Sequence, residues 1–260
     1  MQYAALISIV LVFASFVQAE VQTKTVEYRH GDVTFKGFLA YDDAITGKRP
    51  AVLVFPEWWG VNDYPKGRAK QLAGMGYVAL VGDLYGGGKT TTDPKEAASL
   101  SGSFKANRAE LCARARAALD TLKADPHADT SRVAVIGYCF GGTTALELAR
   151  SGADVQGVAT FHAGLDVPDT GDASNIRAKI LVMTGGDDPN VPPAVLNAFE
   201  DQMRKGKVDW EVVVFGGAVH SFTNPASGSD PSRGVAYNAQ ADHRSWEIMK
   251  LFFGEIFEKK

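Results

Sequence analysis

The sequence has little of what several common classes of protein require. Only two of its 260 residues are cysteines, which is too few for a disulfide-stapled scaffold, and Cys112 and Cys139 lack the CxxC spacing of a metal or redox site. No run of lysines and arginines stands out, and the formal net charge is −3. Because nucleic-acid binding depends on a basic patch, we expect no nucleic acid among the partners.

Patterns for metals and nucleotides are missing as well. No two histidines have the HxxH or HExxH spacing of a zinc site. The glycine-rich segment 86–90 resembles a phosphate-binding loop, but that pattern requires a glycine where Asp83 stands. We therefore expect no cofactor.

The first segment differs from the rest of the chain. Residues 4–17 are almost wholly apolar and uncharged, and they precede Val17-Gln18-Ala19, which is typical of a signal-peptidase site. The run is shorter than the roughly 20 residues of a membrane-spanning helix. A buried first strand and an anchor helix are the alternatives, and the usual N-terminal Lys or Arg is lacking. We predict a signal peptide over 1–19, export to the periplasm or exterior, and no membrane span after cleavage.

The remaining residues, 20–260, alternate between strand and helix patterns and predict one α/β domain. Segments 23–29 and 33–41 alternate apolar and polar residues and indicate an antiparallel hairpin. The apolar run 51–55 is typical of a strand buried on both faces. Further strands are predicted at 77–81, 132–137, 155–161, 179–185 and 210–215, and helices at 63–75, 93–100, 105–123, 141–150, 193–205 and 237–257. This order predicts a mostly parallel sheet with helices on both faces.

Reactive side chains follow three of these strands, at the sheet edge where ligands bind. The segment Gly137-Tyr138-Cys139-Phe140-Gly141 joins a strand to a helix in the Gly-x-Cys-x-Gly pattern of a nucleophile elbow. A cysteine at a helix N-terminus is activated by the helix dipole, and the backbone N–H of Phe140 would be free to bind an oxyanion. We predict that Cys139 is a nucleophile rather than a small buried hydrophobe.

An acid and a base follow two later strands. Asp187 and Asp188 come after strand 179–185, and His220 comes after strand 210–215. The order nucleophile, acid, histidine is that of the α/β-hydrolases. We prefer Asp188 to Asp187 because it precedes Pro189 and the turn that follows, although Asp187 remains an alternative. The sequence thus predicts a Cys139–His220–Asp188 triad.

The chain resembles the dienelactone hydrolase family over nearly all of residues 20–260. The matching pieces are Pro56-Glu57-Trp58-Trp59-Gly60, Gly82-Asp83-Leu84-Tyr85, the segment Gly137 to Gly142, the turn 185–192 and His220-Ser221-Phe222. The resemblance implies the α/β-hydrolase fold and the same triad. It also implies that Glu57 accepts the thiol proton when substrate binds, and that the N–H groups of Trp58 and Phe140 form the oxyanion hole.

The resemblance fails at the residues that would hold a substrate carboxylate. Family members hold that carboxylate with two arginines, one in the helix after the Asp-Leu-Tyr loop and one just beyond the His-Ser-Phe motif. In this chain the first region, residues 97–100, has no arginine, and the second region is Thr223-Asn224. A neutral ester or lactone is therefore at least as plausible a substrate as a dienelactone. Five aromatic residues are candidates for the pocket, although such residues are more often core: Trp59, Tyr85, Phe104, Tyr138 and Phe222.

We expect a hydrolase that cleaves a small-molecule ester or lactone through a thioester at Cys139. The alternatives are a carboxylesterase acting on neutral esters and a non-catalytic secreted binding protein on the same fold. The sequence leaves the oligomeric state open.

Overall fold

Eight strands form one sheet in the computed structural model, which describes residues 20–167 and 173–258. The strands are β1 (Val21–His30), β2 (Val33–Asp42), β3 (Arg49–Phe55), β4 (Val78–Val81), β5 (Ala128–Tyr138), β6 (Gly157–Phe161), β7 (Lys179–Gly185) and β8 (Trp210–Phe215). Their order in the sheet is β1-β2-β4-β3-β5-β6-β7-β8. The predicted signal peptide, residues 1–19, lies outside the described residues.

The sheet is antiparallel only at its N-terminal side. β1 pairs with β2 and β2 with β4 in antiparallel register, whereas every pair from β4 through β8 is parallel. Because the parallel strands run in one direction, the residues that follow β3, β5, β7 and β8 meet at the same edge. The predicted fold class, including the antiparallel hairpin, is confirmed.

Helices cover both faces of the sheet. The helices are α1 (Asp63–Gly74), α2 (Pro94–Ala106), α3 (Arg108–Ala124), α4 (Phe140–Arg150), α5 (Pro193–Gly206) and α6 (Ala239–Phe257). Side chains of α2 to α5 pack in one hydrophobic cluster, and those of α1 and α6 pack in a second cluster that uses the alternate residues of the central strands. Within the described ranges, no helix has the length and apolar character needed to cross a bilayer.

Most differences from the predicted elements lie at their ends. β7 and β8 have the predicted bounds, whereas β5 begins at Ala128 because its first residues pair with β3 ahead of a register shift at Pro50/Ala51. The break between α2 and α3 falls at Asn107, whose side chain accepts a hydrogen bond from the N–H of Glu110 and caps α3. A single polar residue such as Asn107 within a helical pattern does not indicate where one helix ends and the next begins.

Candidate active site

Cys139 lies in a sharp turn between β5 and α4. Its backbone has φ 52° and ψ −118°, a conformation that is unusual for a residue with a side chain. The Cys139 N–H donates to the carbonyl of Phe161, and the Cys139 carbonyl accepts from Gly142 and Thr143 in the first turn of α4. These bonds hold the strained backbone that defines a nucleophile elbow.

The glycines of the elbow are required by close backbone contacts. A Cβ on Gly137 would lie 2.1 Å from the carbonyl oxygen of Gly141. A Cβ on Gly141 would lie 2.3 Å and 2.4 Å from the carbonyl oxygens of Phe55 and Pro56. Gly141 therefore lets the start of α4 touch the end of β3, which brings the thiol-bearing turn beside the segment that begins with Glu57.

The predicted triad is assembled at this edge of the sheet. The Nε2 atom of His220 lies 3.1 Å from the Sγ of Cys139, and its Nδ1 atom lies 2.8 Å from Oδ2 of Asp188. The Asp188 side chain has no exposed surface, and its other oxygen accepts a 2.8 Å hydrogen bond from the N–H of Asn190. Asp187, by contrast, is exposed.

The surroundings of His220 favour its protonated form. Burial alone would lower the pKa of His220, but the negative charge of Cys139 and the hydrogen bond with Asp188 outweigh it and raise this pKa well above the usual range. An imidazolium next to the sulfur is the natural partner of a thiolate. The three groups therefore have the geometry and the electrostatics for nucleophilic catalysis.

Glu57 lies in the same site, but its carboxylate is hydrogen-bonded to residues outside the triad. Ser221 Oγ donates to one carboxylate oxygen at 2.5 Å, and Asn224 Nδ2 donates to the other at 2.6 Å. Burial raises the pKa of Glu57, while these hydrogen bonds and the positive charges of His220 and Arg68 oppose that rise. Within the described residues, the sulfur is hydrogen-bonded to His220 and not to Glu57.

Several residues that support the His220 loop were missed in the sequence. His162 is fully buried and lies edge-on to His220, with ring centroids 5.3 Å apart; burial, followed by the charge of His220, lowers its pKa well below the usual range. Thr223 Oγ1 bonds His162 Nε2 at 2.7 Å and the Tyr64 hydroxyl at 2.6 Å, and Arg68 donates to the Thr223 carbonyl at 2.9 Å. His162 directly follows β6, so the strand-end argument could have found it.

The two predicted oxyanion donors lie on the two segments that Gly141 brings into contact. Phe140 is the first residue of α4, so its N–H has no acceptor within the helix. Within the described residues, the N–H of Trp58 has no hydrogen-bond partner either. Free N–H groups next to a nucleophile are the requirement for an oxyanion hole.

The five predicted pocket residues separate into two groups. Tyr85 and Phe104 lie beside the elbow, where their rings pack at centroid distances of 6.1 Å and 6.3 Å from Phe140, and Trp59 is half-buried against Trp58. Tyr138 and Phe222 instead are fully buried in the cluster under α1 and α6. Tyr138 faces away because alternate residues of a strand point to opposite faces, so neither of these two lines an open pocket.

The strand order and the elbow define an α/β-hydrolase. Comparisons with known proteins show which family of α/β-hydrolases the chain resembles. The sequence pattern of the dienelactone hydrolase family matches residues 35–257. A candidate carboxymethylenebutenolidase from Aquifex aeolicus (strain VF5) is 28% identical over 235 residues, which cover 88% of this chain and 96% of the relative.

Solved structures agree with this assignment. A dienelactone hydrolase-like promiscuous phosphotriesterase from metagenomic libraries superposes with a TM-score of 0.89 at 43% identity, covering 93% of this chain and 100% of that one. A dienelactone hydrolase from Anabaena variabilis has the same fold, with a TM-score of 0.61 at 24% identity over 88% of this chain and 98% of that one. The chain belongs to the dienelactone hydrolase family. It is a hydrolase of the kind that acts on esters or lactones.

Proposed function

We propose that the protein cleaves neutral carboxylic esters or lactones through a thioester on Cys139. The observation that carries this proposal is the pair of contacts made by His220, 3.1 Å to the sulfur and 2.8 Å to the buried Asp188. A histidine held between a thiol and a carboxylate moves protons to and from the sulfur and the leaving group.

Acylation begins with the proton on Nε2 of His220 and the negative charge on Sγ of Cys139. The sulfur attacks the ester carbonyl carbon, and the carbonyl oxygen becomes an oxyanion that the N–H groups of Trp58 and Phe140 bind. When the intermediate collapses, the carbon–oxygen bond to the leaving group breaks. His220 donates its proton to the departing oxygen, which leaves an acyl group on the sulfur and a neutral imidazole.

Deacylation uses the same groups in reverse. Neutral His220 takes a proton from a water molecule as the water oxygen attacks the thioester carbon. The carbon–sulfur bond then breaks, the carboxylic acid leaves, and the thiolate and imidazolium are restored. No metal or nucleotide enters either step of this proposal.

Glu57 acts in this scheme through its charge. Its carboxylate is held by Ser221 and Asn224, and its negative charge attracts the His220 imidazolium, since the charge of His220 acts to lower the pKa of Glu57. The family resemblance alone implied that Glu57 takes the thiol proton. In the present arrangement His220 is hydrogen-bonded to the sulfur, so we assign the proton transfer to His220 and the electrostatic support to Glu57.

The surroundings of the thiol favour an uncharged substrate. Tyr85, Phe104 and Phe140 form an aromatic cluster beside the elbow. Asn224, in a region where family members carry an arginine, is engaged with Glu57 instead. A substrate carboxylate would thus lie near a buried carboxylate without a guanidinium from that region, which is electrostatically unfavourable.

The test is hydrolysis of a matched pair of aryl esters, one neutral and one with a carboxylate on the acyl chain. We expect the wild-type protein to have the higher kcat/KM for the neutral ester. Cys139→Ala should lose activity by more than a thousandfold, whereas Cys112→Ala, which removes a thiol on α3, should stay within about twofold. Retained activity in Cys139→Ala would refute the thioester, and a preference for the charged ester would refute the proposed specificity.

Phosphotriester hydrolysis is a second candidate. It is favoured by the 43% identity to the promiscuous phosphotriesterase, which extends over 93% of this chain. A neutral phosphotriester presents a polarised phosphoryl oxygen where an ester presents its carbonyl oxygen. Release of the aryl group from a diethyl aryl phosphate by the wild-type protein, and its loss in Cys139→Ala, would support this activity; no release above background would exclude it.

We also propose export. The apolar, uncharged residues 4–17 and the Val17-Gln18-Ala19 site support cleavage after Ala19. Protein purified from the native organism should begin at Glu20. An intact N-terminus by mass spectrometry would contradict this proposal without affecting the enzymatic one.

A further inference from the structure

The backbone of Tyr85 is held by two charged side chains. The buried Asp83 carboxylate accepts hydrogen bonds at 2.7–3.0 Å from four backbone N–H groups, those of Tyr85, Gly86, Gly88 and, on β2, Lys36. Arg114 on α3 donates to the carbonyl oxygens of Leu84 and Tyr85 at 3.0 Å and 3.2 Å. Tyr85 is therefore held at both its N–H and its carbonyl.

The Tyr85 hydroxyl is hydrogen-bonded to Trp58, one of the two residues whose N–H groups are predicted to form the oxyanion hole. It donates to the carbonyl oxygen of Trp58 at 2.8 Å. On the other side of Trp58, the carbonyl oxygen of Glu57 accepts from the N–H of Gly60 at 3.2 Å. The Trp58 N–H lies in the planar Glu57–Trp58 peptide unit, which the Gly60 bond holds, and the Tyr85 bond holds the next unit, Trp58–Trp59. With a hydrogen bond on each side, the backbone of Trp58 has little freedom to rotate, and the direction of its N–H is restricted.

The Tyr85 ring contacts the other donor's residue. It stacks on the ring of Phe140 with centroids 6.1 Å apart and an angle of 12° between the planes. The hydroxyl is also close enough to Cys139 to be affected by it: burial, and then the negative charge of Cys139, raises the pKa of Tyr85. The phenol therefore remains a neutral hydrogen-bond donor across the working pH range.

We propose that Tyr85 is a positioning residue for the oxyanion hole, because one side chain contacts both Trp58 and Phe140, whose N–H groups bind the developing oxyanion. The inference rests on the proposed thioester mechanism. It replaces the expectation that Tyr85 merely lines the pocket. Its hydroxyl holds the carbonyl that follows the Trp58 N–H, and its ring packs on the side chain of Phe140.

The experiment compares two tyrosine-to-phenylalanine variants that each remove one hydroxyl bonded to a backbone carbonyl. Tyr85→Phe removes the bond to Trp58, and the control Tyr28→Phe removes a buried 2.7 Å bond to the carbonyl of Asp83. Two rates are measured for each: acylation by p-nitrophenyl acetate, which forms an oxyanion, and alkylation of Cys139 by iodoacetamide, which does not. All proteins carry Cys112→Ala so that a single thiol reacts.

We expect Tyr85→Phe to lower the acylation rate about tenfold or more, through kcat rather than KM, because a misplaced donor loses part of the 10²–10³-fold that one oxyanion donor typically contributes. Its alkylation rate should stay within about twofold of the wild type. Tyr28→Phe should keep both rates. Unchanged acylation in Tyr85→Phe, an equal fall in Tyr28→Phe, or an equal fall in alkylation would each overturn the inference. Failure of the thioester mechanism is distinguished by Cys139→Ala, which would then remain active.

Discussion

Replacing Asp188 with asparagine tests how the acid controls the tautomer of His220. The N–H of Asn190 donates to Oδ1 of Asp188 at 2.8 Å, and His220 Nδ1 lies 2.8 Å from Oδ2. In Asp188→Asn the amide oxygen is needed by the Asn190 N–H, so the amide NH₂ faces His220. Nδ1 must then accept a hydrogen bond, which places the single proton on Nε2, facing the sulfur, and His220 can no longer take a proton from the thiol.

The expected loss follows from two contributions. The charge-assisted hydrogen bond alone is worth about 1.5–3 kcal/mol, or roughly 10- to 150-fold in rate. The wrong tautomer adds to this, because the same change in a serine triad lowers kcat by roughly 10⁴-fold with the geometry intact. We therefore expect Asp188→Asn to lose between about 10² and 10⁴-fold in kcat/KM for a neutral aryl ester.

The neighbouring aspartate provides the control. Asp187 is exposed, and within the described residues its side chain makes no hydrogen bond, so Asp187→Asn should remain within about twofold of the wild type. Circular dichroism and thermal unfolding of both variants would establish that each is folded. If Asp188→Asn kept more than a tenth of the activity, or if Asp187→Asn lost as much, the assignment of Asp188 as the acid would be refuted.

Three further variants test other parts of the site. Gly141→Ala should abolish ester hydrolysis and lower the melting temperature, because its Cβ would lie 2.3 Å from a backbone oxygen of β3. The control Gly102→Ala, whose Cβ would have no atom within 4 Å, should be slightly more stable than the wild type. Calorimetry and an activity assay measure both variants. Glu57→Gln removes a negative charge that favours protonated His220, so the basic limb of the kcat/KM profile should move to lower pH, and an unmoved limb would contradict the electrostatic role. Thr223→Val leaves His162 Nε2 and the Tyr64 hydroxyl without their partner and should lower the free energy of unfolding, measured in urea, by about 2 kcal/mol or more. A decrease of less than about 0.5 kcal/mol would contradict this prediction.

The triad could be predicted because each of its members has a local signature. Cys139 stands in a Gly-x-Cys-x-Gly turn whose glycines are explained by contacts of 2.1–2.4 Å that a Cβ would make. Asp188 and His220 each follow a strand, and parallel strands bring such positions together. Apolar runs and turn residues were enough to locate β7 and β8 at their observed bounds.

The partners of Glu57 could not be predicted in the same way. Ser221 and Asn224 reach Glu57 from 164 and 167 positions away along the chain, and no local pattern specifies contacts of that separation. The same holds for Arg68, whose guanidinium holds the Thr223 carbonyl. Tyr138 was predicted to line the pocket because it is next to Cys139 in sequence. Its side chain instead points to the other face of the sheet, as alternate residues of a strand do.

The claim that Cys139 carries the acyl group is tested most directly by trapping the intermediate. The protein is mixed with a slowly hydrolysed neutral aryl ester, quenched in acid within one turnover, and digested for peptide mass spectrometry. The account predicts one acyl group on the peptide that contains Cys139, none on the peptide that contains Cys112, and release of the group by hydroxylamine at neutral pH, as expected for a thioester. Hydrolysis at the normal rate with the acyl group on another residue, or with an unmodified Cys139 peptide throughout the burst, would contradict it.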